Sequence, residues 1–235
     1  MLTSQLNPNS EPAMQRICLY LAAALSSATA ASEQYTPAEI LDWQTQSFKG
    51  QTDYSLTGAE EAGADHAAVR ASCSKATASG LVLEREHRLA DAPILEWRWR
   101  VDAVYSGLDE TSKGGDDYPA RVYVVAERWP AFRSRAINYV WASSQPGGAS
   151  WENAFASQFT VVAVRSGQER LGKWVTERRN VLEDFKRLHD LEPDNIDALA
   201  IMTDCDNAGQ SATAWYGPIR WLGRENPGIR SSTGR

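Results

Sequence analysis

Apolar and polar residues alternate along much of the chain. Between residues 94 and 101, Leu95, Trp97, Trp99 and Val101 fall on one side and Glu96, Arg98 and Arg100 on the other. A period of two predicts a half-exposed strand. Shorter runs predict strands at 67–72, 80–86, 120–126, 137–142, 159–165, 198–203 and 211–221, most of them bounded by Gly, Pro, Asp, Asn or Ser. Many short strands with that punctuation favour a sandwich or barrel, and the long gaps point to crossovers between two sheets. Helical spacing is rare. Thr36-Pro37-Ala38-Glu39 offers a cap, a proline at the first helical position and an acid at the third, which predicts a short helix over 37–42. Over 176–189, Val181, Leu182, Phe185 and Leu188 recur at helical spacing, with Thr176 as the expected cap. Residues 60–66 read as loop. The predicted fold is all-β: one β-sandwich of jelly-roll, galactose-binding-like type with one or two short peripheral α-helices.

The pattern breaks at both ends. After Met14, a single Arg precedes an apolar run from Ile17 to Leu25, and Ala28-Thr29-Ala30 follows. That order is a secretory signal with cleavage near Ala30, and the run is too short to span a bilayer. Cys18 sits at the front of the run, which disfavours a lipoprotein anchor. Residues 1–30 are therefore expected to be an upstream extension plus a cleavable signal, with either Met1 or Met14 as the start. Residues 31–223 form the domain, and 224–235 are expected to be a flexible tail. The expected address is periplasmic or secreted.

Composition narrows the function classes. With 24 basic and 30 acidic residues and a net charge of -6, a nucleic-acid-coating protein is disfavoured. No later segment is long and apolar enough to span a membrane. Past the signal, Cys73 and Cys205 remain; they either pair in an oxidising compartment or stay as two buried free thiols, with the thiols as the default expectation. The three histidines are scattered and no CxxC occurs, so zinc is poorly supported. The chain carries no G-x-S-x-G, HExxH, P-loop or GxGxxG signature. Carboxylates are abundant, which leaves glycosidase-type acid/base chemistry open.

Three constellations stand out. In the first, a glycine turn and paired acids, Asp116 and Asp117, lead into a strand that carries Arg121 and Tyr123 on one face. The second, Asp204-Cys205-Asp206-Asn207-Ala208-Gly209, begins like a calcium loop, but Ala208 and Trp215 occupy positions that need ligands. An EF-hand is rejected. A looser Ca²⁺ site using Asp204 and Asp206, shared with Asp116 or Asp117, stays open beside the plainer reading of a hydrogen-bonded turn. The third places Arg179 and Asn180 at the opening of the second helix. Nine tryptophans against five phenylalanines raise a further question of core against ligand. Trp97 and Trp99 read as core, whereas Trp141 and Trp215, with Trp129 and Trp151 in loops, could stack on a ring.

Together, the run from Trp97 through Gly114-Gly115-Asp116-Asp117-Tyr118 to Val125, then Asn138-Tyr139-Val140-Trp141, residues 171–185 and residues 201–217 resemble the family of domain of unknown function 3047, exported bacterial proteins. The resemblance implies an exported β-rich domain and no particular reaction. Residues 48–54 and 78–81 also resemble sugar-binding jelly rolls. The expected function is non-enzymatic binding of a glycan or other polar small ligand. Its site residues are Asp116, Asp117, Arg121, Tyr123, Asn138, Trp141, Arg179, Asn180, Asp204, Asp206, Asn207 and Tyr216. The alternatives are a carbohydrate hydrolase or lyase using the clustered carboxylates, and a structural protein partner in a cell-envelope assembly.

Overall fold

A computed structural model of the chain describes residues 33–74 and 76–224; the signal, cleavage-site and tail expectations fall outside these residues. The described residues form strands β1 (Gln34–Tyr35), β2 (Gln44–Lys49), β3 (Asp53–Thr57), β4 (Ala68–Cys73), β5 (Ala78–Arg88), β6 (Ile94–Val101), β7 (Arg121–Ala126), β8 (Arg135–Ala142), β9 (Ser150–Glu152), β10 (Phe159–Ser166), β11 (Val175–Asn180), β12 (Asn195–Asp204) and β13 (Ala212–Leu222); the eight expected runs become β4 to β8, β10, β12 and β13, and the other five strands were not expected. Three short α-helices join them among the described residues: α1 (Pro37–Leu41), α2 (Ala59–Ala62) and α3 (Val181–His189). One sheet runs β11-β6-β13-β4-β3, with β1 added to β13. The other runs β2-β5-β12-β7-β8-β10-β9. The chain crosses repeatedly between the two sheets, and the fold is a β-sandwich of jelly-roll type.

The alternation explains why the sheets stack. Leu95, Trp97, Trp99 and Val101 of β6 are all buried, and they share one core with Val122 and Val124 of β7 and Tyr139 and Trp141 of β8. Trp97 and Trp99 meet edge to face with ring centres 5.4 Å apart, the geometry that ring quadrupoles favour. On the opposite side of β6, Glu96 is also buried. It faces Arg178 on β11 and Arg220 on β13 across the two ladders and pairs with both. A face that reads as solvated in sequence is therefore covered by an ion-pair row.

Three expectations need correction. Residues 175–180 are strand β11, paired with β6 from Val175↔Trp99 to Asn180↔Ile94, so the second helix begins only at Val181. Its cap is Asn180, whose side chain accepts from the Glu183 N–H at 3.3 Å, and not Thr176. The charged residues of this strand had read as a helix surface because β11 lies at a sheet edge. Residues 60–66 also hold structure, since α2 begins at Ala59 and closes on Gly63 in the left-handed conformation (φ 61°). Finally, Cys73 and Cys205 are not free thiols but a disulfide, with Cα atoms 6.0 Å apart and a sequence separation of 132. Their meeting depends on the end of β4 lying beside the β12–β13 connection, which local sequence does not reveal.

Candidate functional site

The outer face of the seven-stranded sheet is hollowed into a cavity of about 600 Å³, a size that suits a small ligand or a few sugar rings. Small side chains make the hollow. Ala78 and Gly80 on β5 and Ala198 and Ala200 on β12 form much of the floor. Gly80 is required there, because a Cβ at that position would stand 2.7 Å from the Ile201 carbonyl. Arg121, Tyr123 and Val125 on β7 alternate onto this face, with Asn138 on β8 directly opposite Tyr123 in the ladder. Phe48 from β2 and Phe155 from the β9–β10 connection line the same cavity, and both are largely exposed.

A buried charge cluster closes one end. Arg121, only 2% exposed, donates from Nε to Asp204 Oδ1 at 2.8 Å and from Nη2 to Asp204 Oδ2, a fork-to-fork pair. Its Nη2 also reaches the Asp116 carbonyl, and Nη1 donates to the Tyr123 hydroxyl at 3.1 Å. The guanidinium lies over the Tyr118 ring, 4.4 Å from its centre. Burial alone would lower the Arg121 pKa, but Asp204, Tyr123 and Asp116 raise it well above the ordinary value, so the guanidinium stays charged. Burial pushes the Asp204 carboxyl up to about 7 against the opposing pull of Arg121. Burial likewise raises the Tyr123 phenol, which stays neutral and keeps its proton for hydrogen bonding.

Asp117, Asp204 and Asp206 each present an oxygen within 4.8 Å of the others, so the calcium expectation can be tested on donor chemistry. It fits poorly. Asp204 is engaged by Arg121, which already supplies the positive charge. Asp117 accepts from the backbone N–H of Asn207 at 2.7 Å and of Ala208 at 2.5 Å, and from the Asn207 side chain. Asp206 lies 3.7 Å from the Lys49 ammonium. The cluster serves as an acceptor set that closes the turn after β12.

Seven of the twelve sequence-predicted residues line the cavity: Asp116, Arg121, Tyr123, Asn138, Asp204, Asp206 and Asn207. Asp117 stands behind them and shapes the Asn207 turn. Four others lie elsewhere. Trp141 is fully buried and donates to the Gly167 carbonyl at 3.1 Å. Tyr216 faces the interior, where its hydroxyl donates to the Met202 carbonyl at 2.6 Å and braces β12 from behind. Arg179 clamps Asp184 through two bonds of 2.8 and 2.5 Å, and Asn180 caps α3. Sequence reasoning missed Phe48 and Phe155 as site residues because β2 is exposed on both sides and shows no alternation, while Phe155 sits in a connection with no period at all.

Asn138 is the anomaly of the site. It is 1% exposed, yet neither its Oδ1 nor its Nδ2 has a hydrogen-bond partner in the protein. Buried amides are nearly always paired, and leaving one unpaired costs about 1–3 kcal/mol.

Comparison with known proteins adds the following. No curated protein matches the chain. Solved structures of similar course include the family 30 carbohydrate-binding module of a Clostridium thermocellum cellulosomal cellulase, at 11% identity and TM-score 0.44, covering 83% of this chain and 99% of that one. A low-affinity xylan-binding module, CBM86, from Roseburia intestinalis is similar at 12% identity and TM-score 0.35, covering 83% and 96%. A cellulase derived from Cel12A of Rhodothermus marinus is similar at 10% identity and TM-score 0.39, covering 81% and 100%. The family model described as "Protein of unknown function (DUF3047)" matches residues 41–220, and the chain belongs to that family.

Proposed function

We propose that this is an exported protein that binds a neutral glycan in the hollow of its seven-stranded sheet, without turnover. The observation that carries the proposal is Asn138, a buried amide with both polar ends unspent, lining a cavity of ligand size. A carboxamide offers one acceptor and two donors, which complements neighbouring sugar hydroxyls. Phe48 and Phe155 supply aromatic faces against which a sugar's C–H face packs. The cations lining the cavity are already matched, Arg121 with Asp204 and Asp116, and Lys49 with Asp206, which favours a neutral ligand over an acidic one. The Cys73–Cys205 bridge supports an oxidising address.

The test is calorimetric titration of the folded protein against a panel of neutral and uronic-acid oligosaccharides. Saturable binding of at least one neutral glycan is expected, weakened at least tenfold in Asn138→Leu. Absence of saturable binding across the panel would overturn the proposal, and release of new reducing ends would replace binding with hydrolysis.

A further inference from the structure

The β7–β8 connection carries a second feature, away from the cavity. Residues 127–135 read Glu-Arg-Trp-Pro-Ala-Phe-Arg-Ser-Arg. Trp129 is 89% exposed and Phe132 is 73% exposed, and Arg128 and Arg133 beside them are exposed too. The other eight tryptophans are buried or half-buried.

These aromatic side chains do not stand out because the loop lacks structure. The Arg133 N–H donates to the Pro130 carbonyl at 2.9 Å and the Ser134 N–H to the Ala131 carbonyl at 3.0 Å. The Ser134 hydroxyl accepts from the Arg128 N–H at 3.0 Å. Arg135 Nη1 donates to the carbonyls of Phe132 and Ser134 at 3.2 and 2.9 Å. A turn braced in this way holds two large apolar rings in water. Neither ring lines the sugar-sized cavity, so the glycan proposal does not account for them.

Charge indicates what covers them. The whole chain is acidic, at -6, yet this loop sets three arginines against one glutamate. Trp and Phe beside Arg is the composition that settles at a membrane–water interface: the rings enter the headgroup region while the guanidiniums meet lipid phosphates. We propose that this loop docks the protein onto an anionic lipid surface, with Trp129 and Phe132 entering the interface and Arg128 and Arg133 contacting headgroups. The acidic remainder would be repelled by the same surface, which fixes the orientation of docking. No helix among the described residues is long and apolar enough to cross a membrane, so docking on the surface is a separate matter from spanning.

Vesicle flotation tests the proposal, using equal parts phosphatidylglycerol and phosphatidylethanolamine against pure phosphatidylcholine. The protein is expected to float with the anionic vesicles and not with the neutral ones, with a blue shift of tryptophan emission that Trp129→Phe abolishes. An arginine near an anionic surface contributes about fivefold in affinity, so Arg128→Gln/Arg133→Gln should weaken binding by roughly 25-fold. Trp129→Ala/Phe132→Ala should abolish it. Both double variants replace solvent-exposed side chains, so melting temperature and glycan titration should stay at wild-type values and certify the fold. Failure to bind anionic vesicles, equal binding to neutral ones, or binding that survives Trp129→Ala/Phe132→Ala would each overturn the proposal. None of those results would touch the glycan reading.

Discussion

Arg121 organises the end of the cavity. Its side chain is buried among Asp204, Asp116, Tyr123 and Tyr118, and it ties the end of β12 to the segment that leads into β7. A buried pair of this kind need not raise stability over an apolar replacement of both partners, but removing one partner strands the other charge. Arg121→Met should therefore destabilise the protein by about 3–5 kcal/mol, read as a shift of the urea midpoint. Asp204, Asp117 and Asp206 are engaged by Arg121, by the Asn207 and Ala208 N–H groups and by Lys49 respectively. Chelation with EDTA should leave the melting temperature unchanged, and a clear drop would restore the calcium reading for Asp204 and Asp206.

Among the elements, α3 shows how one helix is fixed against the sandwich. Asn180 caps it, and Asp184 on its inner side accepts from the Tyr139 hydroxyl at 2.9 Å and from Arg179 and Arg187. Burial pushes the Asp184 carboxyl up, but the two arginines outweigh it and hold the pKa below the ordinary value. A carboxyl that is lower in the folded chain than in the unfolded one adds stability in full above its unfolded pKa. That stability disappears as pH falls through the folded pKa. The melting temperature should thus fall on acidification below about pH 4, and Asp184→Asn should flatten that slope while lowering the melt at neutral pH. Asn180→Ala should cost about 1 kcal/mol, whereas Thr176→Ala, exposed on β11, should cost little. The same stretch marks the limit of what sequence conveys. β6 and β7 were legible because apolar and polar residues alternate along them, and β8 and β12 because they read as short apolar runs, which fits their burial on both faces. β2, β3, β9 and β11 lie at or near sheet edges, where weaker constraint leaves no period to read. In the site, Arg121, Tyr123 and Asp204 were legible as polar residues on or ending strands. Trp141 and Tyr216 stood in the same motif blocks but point into the core, because adjacent positions on a strand face opposite ways.

At the scale of the whole molecule, one covalent link ties the two sheets. Cys73 closes β4 of one sheet and Cys205 follows β12 of the other. Closing a loop of 132 residues restricts the unfolded chain by about 5 kcal/mol. Reduction, or Cys73→Ser/Cys205→Ser, should lower the denaturant midpoint accordingly. The sandwich can then be seen as a stiff support for a hollow in which one amide is left unpaired. Leucine nearly matches asparagine in size and has no polar atom to desolvate, so Asn138→Leu should remove the cost of the unpaired amide along with its hydrogen bonds to ligand. A residue kept only for stability would behave in the opposite way. The decisive measurement is therefore a paired one, the melting temperature of Asn138→Leu together with its calorimetric titration by the glycan that the wild type binds. The account predicts a melt equal to or above wild type with binding weakened at least tenfold. Unchanged binding, or a lower melt, would contradict it.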